Sequence, residues 1–333
     1  MKKGDFPEKI RVSIGSAIVL GLMTGRLDAE PTTVYLLTYQ PGKCHANCGF
    51  CPQAKTSKSR TDMLSRVSWP LFPTELVLCA IERAAEGNAI KRVCVQALNY
   101  PTVFRDVLKL AREIKSRMRV PISISCQPLN RRQMKKLVEI GVDRVSIALD
   151  AATEGLFDMV KGASADGPYT WKNQLNALKE AVQTFGKGSV TTHLIAGLGE
   201  TARELIQTIQ WCMDVGVYPS LFAFTPMPGT ALEKHPQPPL GYYRKLQVAH
   251  FLITKGKTRY ENMRFSEDNR LIGFGVPKEE VRRVIRTGRP FLTSGCLGCN
   301  RPYYNERPGG PIYNFPRQPL REEIIDIEKE IRI

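Results

Sequence analysis

From about Pro31 to Thr230 the chain alternates short runs rich in β-branched residues with longer stretches of helical periodicity. No other feature of its 333 residues restricts the fold as much. Val34–Thr38, Arg92–Gln96, Ile122–Cys126, Arg144–Leu149, Ser189–Ile195 and Ser220–Phe224 read as strands. Thr74–Glu86 (with Thr74 as cap), Val103–Arg117, Arg131–Ile140, Tyr169–Phe185 and Thr201–Val215 read as helices. Strands alternating with helices in this way pack as parallel strands with right-handed crossovers. Six units rather than eight predict an α/β fold, a partial (β/α)6 TIM-type barrel, with chemistry at the C-terminal ends of its strands. The rhythm ends near Thr230, where Pro226, Pro228, Pro236, Pro238 and Pro239 punctuate the exit. The expected division is an N-terminal helical segment 1–30, a barrel over 31–232 and a C-terminal extension over 233–333 wrapped on the barrel. That extension is expected to carry helices at Leu240–Lys255 and Glu322–Ile333. The early apolar stretch Val12–Gly25 is too short to span a bilayer, which takes about 20 apolar residues, and reads as a buried or capping helix.

The first strand runs into Cys44-His45-Ala46-Asn47-Cys48-Gly49-Phe50-Cys51, a C-x3-C-x2-C loop. Three thiolates on one short loop can ligate three irons of a [4Fe–4S] cluster and leave the fourth iron open to a chelating small molecule. The bland reading is a zinc loop or core cysteines, but a structural zinc site wants a closed tetrahedral set. Nine cysteines without a secretory leader pattern fit a reducing, cytoplasmic setting better than a disulfide scaffold. The four histidines are scattered and offer no histidine-built metal site.

The remaining cysteines can be sorted by position. Cys94 and Cys126 lie on the second and third strands, and a register with both thiols inside the barrel is available. Cys296 and Cys299 form a CxxC in a Gly-rich turn. Together the two pairs could hold a second cluster, although strand cysteines are often plain core and a CxxC can bind zinc or act in redox. Cys79 and Cys212 fall in amphipathic helices and read as core. The net charge of +16 suggests an acidic partner, and Lys55–Phe72, with Lys55, Lys58, Arg60 and Arg66, reads as a basic surface loop. A generally solvated basic surface is the plainer explanation.

The C-x3-C-x2-C loop resembles the signature of the radical S-adenosylmethionine (SAM) superfamily, and the wider cysteine pattern resembles its biotin synthase and lipoyl synthase branch. The resemblance implies a [4Fe–4S] cluster on Cys44, Cys48 and Cys51 whose open iron binds SAM and cleaves it to a 5′-deoxyadenosyl radical. It implies SAM contacts from Phe50, from Asp150 as the ribose-binding acid, from Gln127, and from the Ile195–Glu200 turn with Gly197 and Glu200. His193 stands where that turn pattern has its leading glycine. A helix N-cap is the competing role for Asp150. Cys94 and Cys126 match the auxiliary-cluster positions of biotin synthase. Its third such cysteine is absent here, and Cys296 and Cys299 could supply the missing ligands of an auxiliary [4Fe–4S] cluster.

That combination is most similar to one component of the two-protein (split) lipoyl synthases of archaea and some bacteria. The implied activity is sulfur insertion into an octanoyl chain on a lipoyl carrier protein, with sulfur drawn from the auxiliary cluster. The implied partners are the octanoylated, acidic carrier protein, a second radical SAM lipoyl synthase component, and an electron donor such as ferredoxin; neither a membrane nor nucleic acid is expected. The alternatives are biotin synthase itself, a hydrogenase maturase, an amino-acid mutase, a tRNA methylthiotransferase, or a non-enzymatic zinc protein.

Overall fold

The computed structural model describes residues 7–306 and 309–331. Six parallel strands form its centre: β1 (Thr33–Leu37), β2 (Arg92–Gln96), β3 (Ile122–Cys126), β4 (Arg144–Ile147), β5 (Val190–Ala196) and β6 (Val217–Ala223). Each pairs in parallel with the next in the chain, as right-handed βαβ crossovers require. Two antiparallel strands, Lys9–Val12 and Leu71–Pro73, extend the sheet beyond β1. The expected partial (β/α)6 barrel is therefore present, with β6 at one edge and Leu71–Pro73 at the other.

The crossovers are α1 (Thr74–Glu86), α2 (Val103–Arg117), α3 (Arg131–Glu139), α4 (Glu154–Lys161) with α5 (Trp171–Phe185), and α6 (Ala202–Asp214). Local chemistry explains their ends. Asn130 with Gln133 and Thr201 with Glu204 form capping boxes at α3 and α6, each satisfying two orphan donors. Along α2, Val103, Val107, Leu110, Ala111 and Ile114 share one buried stripe against the sheet.

Four local expectations change. Thr74 is the first helical residue rather than the cap: Pro73 precedes the helix, and the Thr74 hydroxyl is buried without a partner. The N-terminal segment contains the strand Lys9–Val12 before a short helix, Ile14–Val19; Ile10 and Val12 complete the core beside β1. Lys55–Phe72 is not a plain surface loop. It folds as a small hairpin, Met63–Leu64 against Val67–Ser68, and Trp69 is fully buried. Helix α4, unmarked in the sequence reading, delivers Lys161 to the interior.

The extension runs through α7 (Leu240–Thr254), α8 (Lys278–Arg286) and α9 (Arg321–Ile331); the final two residues of the expected terminal helix lie outside the described residues. Helix α7 is buried nearly all round and shares one apolar cluster with Leu149 just past β4, with the ends of β5 and β6, and with α8 and α9. Arg244 on α7, 2% exposed, pairs with Glu330 at 3.1 Å and donates to the carbonyls of Ile312 and Tyr313. The tail is thereby pinned back onto the barrel. Among the described residues no helix is long and apolar enough to cross a membrane.

The tail also spans the open seam. Ser294 bonds the backbone of Leu221 on β6, and Asn300 bonds the backbone of Thr32 and Glu30 at the start of β1. Asn305 then joins Ala223 on β6 to Ser65 of the hairpin.

Candidate functional site

One cavity of about 200 Å³ runs through the barrel, with Phe50 and Cys51 at the strands' C-terminal end and Cys94, Cys296 and Cys299 deeper down.

At the upper end the cysteine loop is fixed by its backbone. Cys44 N–H donates to Gln53 O at 2.9 Å, Gly49 N–H to Val160 O at 2.7 Å, and Leu232 N–H to Gly49 O at 3.0 Å. The Cys44 sulfur accepts from the N–H groups of Asn99 (3.1 Å) and Ala46 (3.4 Å). Burial pushes the Cys48 thiol up to about 12, against the pull of the Lys161 ammonium, and pushes Cys51 up further. Without metal these thiols keep their protons, so iron must displace them on binding. Among the described residues no three His, Cys, Asp or Glu side chains converge on one ion position; in an iron–sulfur cluster each thiolate takes its own iron.

Asp150 lines this cavity, in left-handed backbone at φ +67°. Its carboxylate is 2.6 Å from the Lys161 ammonium, with the two side chains 9% and 4% exposed. Thr153, not Asp150, caps α4. Lys161 also donates to Ala148 O at 2.8 Å. Desolvation opposes its charge, but Asp150 and then Cys48 outweigh that and hold its pKa above the usual lysine value. The sequence reading missed this lysine, whose only local signal is its place in the last turn of an unmarked helix.

The Gly197–Glu200 turn is held by Glu200 itself, whose carboxylate accepts from Gly197 N–H (2.6 Å) and Leu198 N–H (2.9 Å). Gly197 has φ +96°, and a Cβ there would come within 2.7 Å of Pro238, so only glycine fits. Gln127 lies just past β3 and its buried Oε1 has no partner. An orphaned acceptor of that kind is open to a ligand donor.

Lower down, register decides which cysteines meet. Tyr35, Cys94, Ser123 and Arg144 stand directly opposite one another across β1–β4, and all four line the cavity. Side chains alternate along a strand, so Ser123 and Ser125 face inward while Ile122, Ile124 and Cys126 share the opposite parity. Cys126 is buried in the apolar core that also holds Val93 and Val95. The structure therefore does not bring Cys126 together with Cys94, and Ser123 holds the inward position beside Cys94.

The tail brings Cys296 and Cys299 to the same level. Cys299 Sγ is 3.0 Å from the Tyr35 hydroxyl, and Cys296 Sγ is 3.5 Å from Ser123 Oγ. Burial raises the Cys94 thiol, and Cys296 and Cys299 add to the shift, while Arg301 and Arg92 oppose it.

His193 sits between the two ends. Burial pushes its pKa down to about 4, so the ring is neutral; Nε2 lies 3.4 Å from Ser146 Oγ. Phe222, Phe224, Ile195 and Met227 make much of the remaining wall apolar. The arrangement can hold two thiolate-bound groups with an apolar chain between them.

Comparison with known proteins agrees with this geometry. The radical SAM superfamily profile matches residues 41–212. A biotin synthase from Sulfurihydrogenibium sp. (strain YO3AOP1) is 25% identical over 283 residues, covering 78% of this chain and 81% of that protein. A biotin synthase from Magnetococcus marinus is 30% identical over 170 residues, 50% of this chain and 49% of that protein. Among solved structures, methylornithine synthase aligns with a TM-score of 0.50 at 16% identity, over 67% of this chain and 62% of its own. The FeFe-hydrogenase maturase HydG from Carboxydothermus hydrogenoformans gives 0.51 at 16% identity, over 73% and 55%. The chain spans under two thirds of both solved chains, and these likenesses concern the fold alone. The profile match, which takes in the cysteine loop and strands β2–β5, together with the partial barrel that carries it, leads to one family: the chain belongs to the radical SAM superfamily, and among curated proteins it is similar to the biotin synthases.

Proposed function

We propose that this protein inserts sulfur into an octanoyl chain carried on a lipoyl carrier protein, as one component of a split lipoyl synthase. The observation that carries the reading is the shared cavity: Cys94, Cys296 and Cys299 open into the same space as Phe50 and Cys51. As a radical SAM enzyme it uses a [4Fe–4S] cluster and SAM, which together supply the hydrogen abstraction that an unactivated C–H bond requires and no side chain can perform. Cys44, Cys48 and Cys51 would hold that cluster. Asp150 and the free acceptor of Gln127 would hold SAM, with Lys161 keeping a positive charge beside the loop; the Gly197 and Leu198 N–H groups are taken by Glu200, and their turn would act by shape alone.

Cys94, Cys296 and Cys299 would hold the auxiliary cluster as sulfur source, two of them on a tail segment whose ligands can be released without unravelling a strand. The neutral His193 and the apolar walls exclude water and fix the chain between the two sites. An exposed Lys58, with Lys55 and Arg60 on the same segment, would steer an acidic carrier protein. Lys55 and Arg60 are in exposed pairs with Asp166 and Asp62, which add little stability and can exchange partners. A second radical SAM component and a ferredoxin-type donor complete the proposed system.

A second reading, sulfur insertion into a free small acid, is favoured by the biotin synthase that aligns over 81% of its length. Anaerobically reconstituted protein, given SAM and a low-potential reductant, is offered octanoylated carrier protein or dethiobiotin. Carrier that gains sulfur, with 5′-deoxyadenosine formed in step, supports the proposal. Sulfur found only in the free acid refutes it.

A further inference from the structure

Three guanidiniums share the cavity with Cys94, Cys296 and Cys299, and none is paired with a carboxylate among the described residues. Arg92 is 9% exposed; its Nη1 donates to Ser123 Oγ at 2.9 Å, and its Nε is buried with no partner. Arg144 lines the cavity in the same row as Cys94 and Ser123, and its guanidinium makes no hydrogen bond or ion pair with a described residue. Arg301 donates to Ser294 O at 3.2 Å and lies 3.8 Å over the Phe222 ring.

Among the described residues the one acid lining the cavity, Asp150, is already held by Lys161. The buried Glu306 carboxylate accepts from the N–H groups of Asn305 and Asn314 and interacts with Arg301 without a direct bond, offsetting part of that one charge. Burying a cation without a counter-charge is strongly unfavourable. Arg92 is buried and Arg144 and Arg301 are half-buried, so three guanidiniums around one space make it strongly positive and favour an anion there. Thiolate ligands make an iron–sulfur cluster a net anion, and reduction makes it more so.

We infer that Arg92, Arg144 and Arg301 form an anion cage that neutralises the auxiliary cluster and raises its reduction potential. This rests on the auxiliary-cluster reading above. Arg144 stands two strands from Cys94, about 10 Å at the usual strand spacing. At that separation a unit charge shifts a one-electron equilibrium by about tenfold, or about 59 mV.

The test uses the full chain with Cys44, Cys48 and Cys51 all changed to Ala, so that only the auxiliary site can take iron. The midpoint potential is read by EPR-monitored titration and the iron is counted. Arg144→Met, at an arginine less buried than Arg92, should move the midpoint negative by about that amount with iron content unchanged, and Arg144→Lys should restore it. An unchanged midpoint in Arg144→Met with iron retained overturns the inference. A parent protein that binds no iron instead overturns the auxiliary-cluster reading itself.

Discussion

Replacing Lys161 with Met tests the link between the α4 helix and the upper site. The Lys161–Asp150 pair is 2.6 Å long with both side chains under a tenth exposed. Removing one partner of such a pair leaves the other charge buried and uncompensated, which costs about 3–5 kcal/mol. The lost bond to Ala148 O adds about 1 kcal/mol. Against a total stability of about 5–15 kcal/mol, Lys161→Met should be severely destabilised. Asp150→Asn combined with Lys161→Met removes the stranded charge and should recover most of the loss, leaving about 1–2 kcal/mol for the Ala148 bond and imperfect packing. Urea unfolding of the metal-free, reduced proteins at neutral pH, followed by circular dichroism, gives the ordering. A single variant within about 1 kcal/mol of the parent, or a double variant no better than the single, would refute the argument that this buried pair organises the loop.

Cys94→Ala should lose the auxiliary iron, about four per chain for a [4Fe–4S] cluster, whereas Cys126→Ala should keep it and show only a modest stability loss; iron and sulfide counts separate the two. His193 has its folded pKa depressed to about 4, below an unfolded value near 6.5. The unfolded chain therefore binds more protons between those values, and stability present above about pH 6.5 is lost as pH falls toward 4, by about 3 kcal/mol for this group. His193→Gln should flatten that part of the pH–stability curve, and an unchanged slope would contradict the burial argument. Lys55→Glu with Lys58→Glu should raise the apparent KM for an acidic carrier protein without altering SAM cleavage, measured as 5′-deoxyadenosine formed without carrier; an unaffected KM removes the steering role.

Local chemistry was enough to place most elements. Arg92–Gln96, Val103–Arg117 and Ile122–Cys126 lie where periodicity and β-branching put them, because strand and helix patterns are properties of neighbouring residues. The C-x3-C-x2-C loop was equally legible, its spacing being a local constraint on ligand geometry. Which face of β3 points inward was not. In a parallel sheet both faces are buried, so Ile122-Ser123-Ile124-Ser125-Cys126 carries no polarity signal strong enough to outweigh the appeal of a cysteine. The packing of Ile122, Ile124 and Cys126 in the core beside Val93 and Val95 settles the parity, and Ser123 becomes the neighbour of Cys94. The Asp150–Lys161 pair depended on a short helix with weak local marks, and the three unpaired arginines come from strands and a tail far apart in the chain. Their meeting is a consequence of the barrel closing and of the tail bridging its seam, which no stretch of the sequence expresses alone.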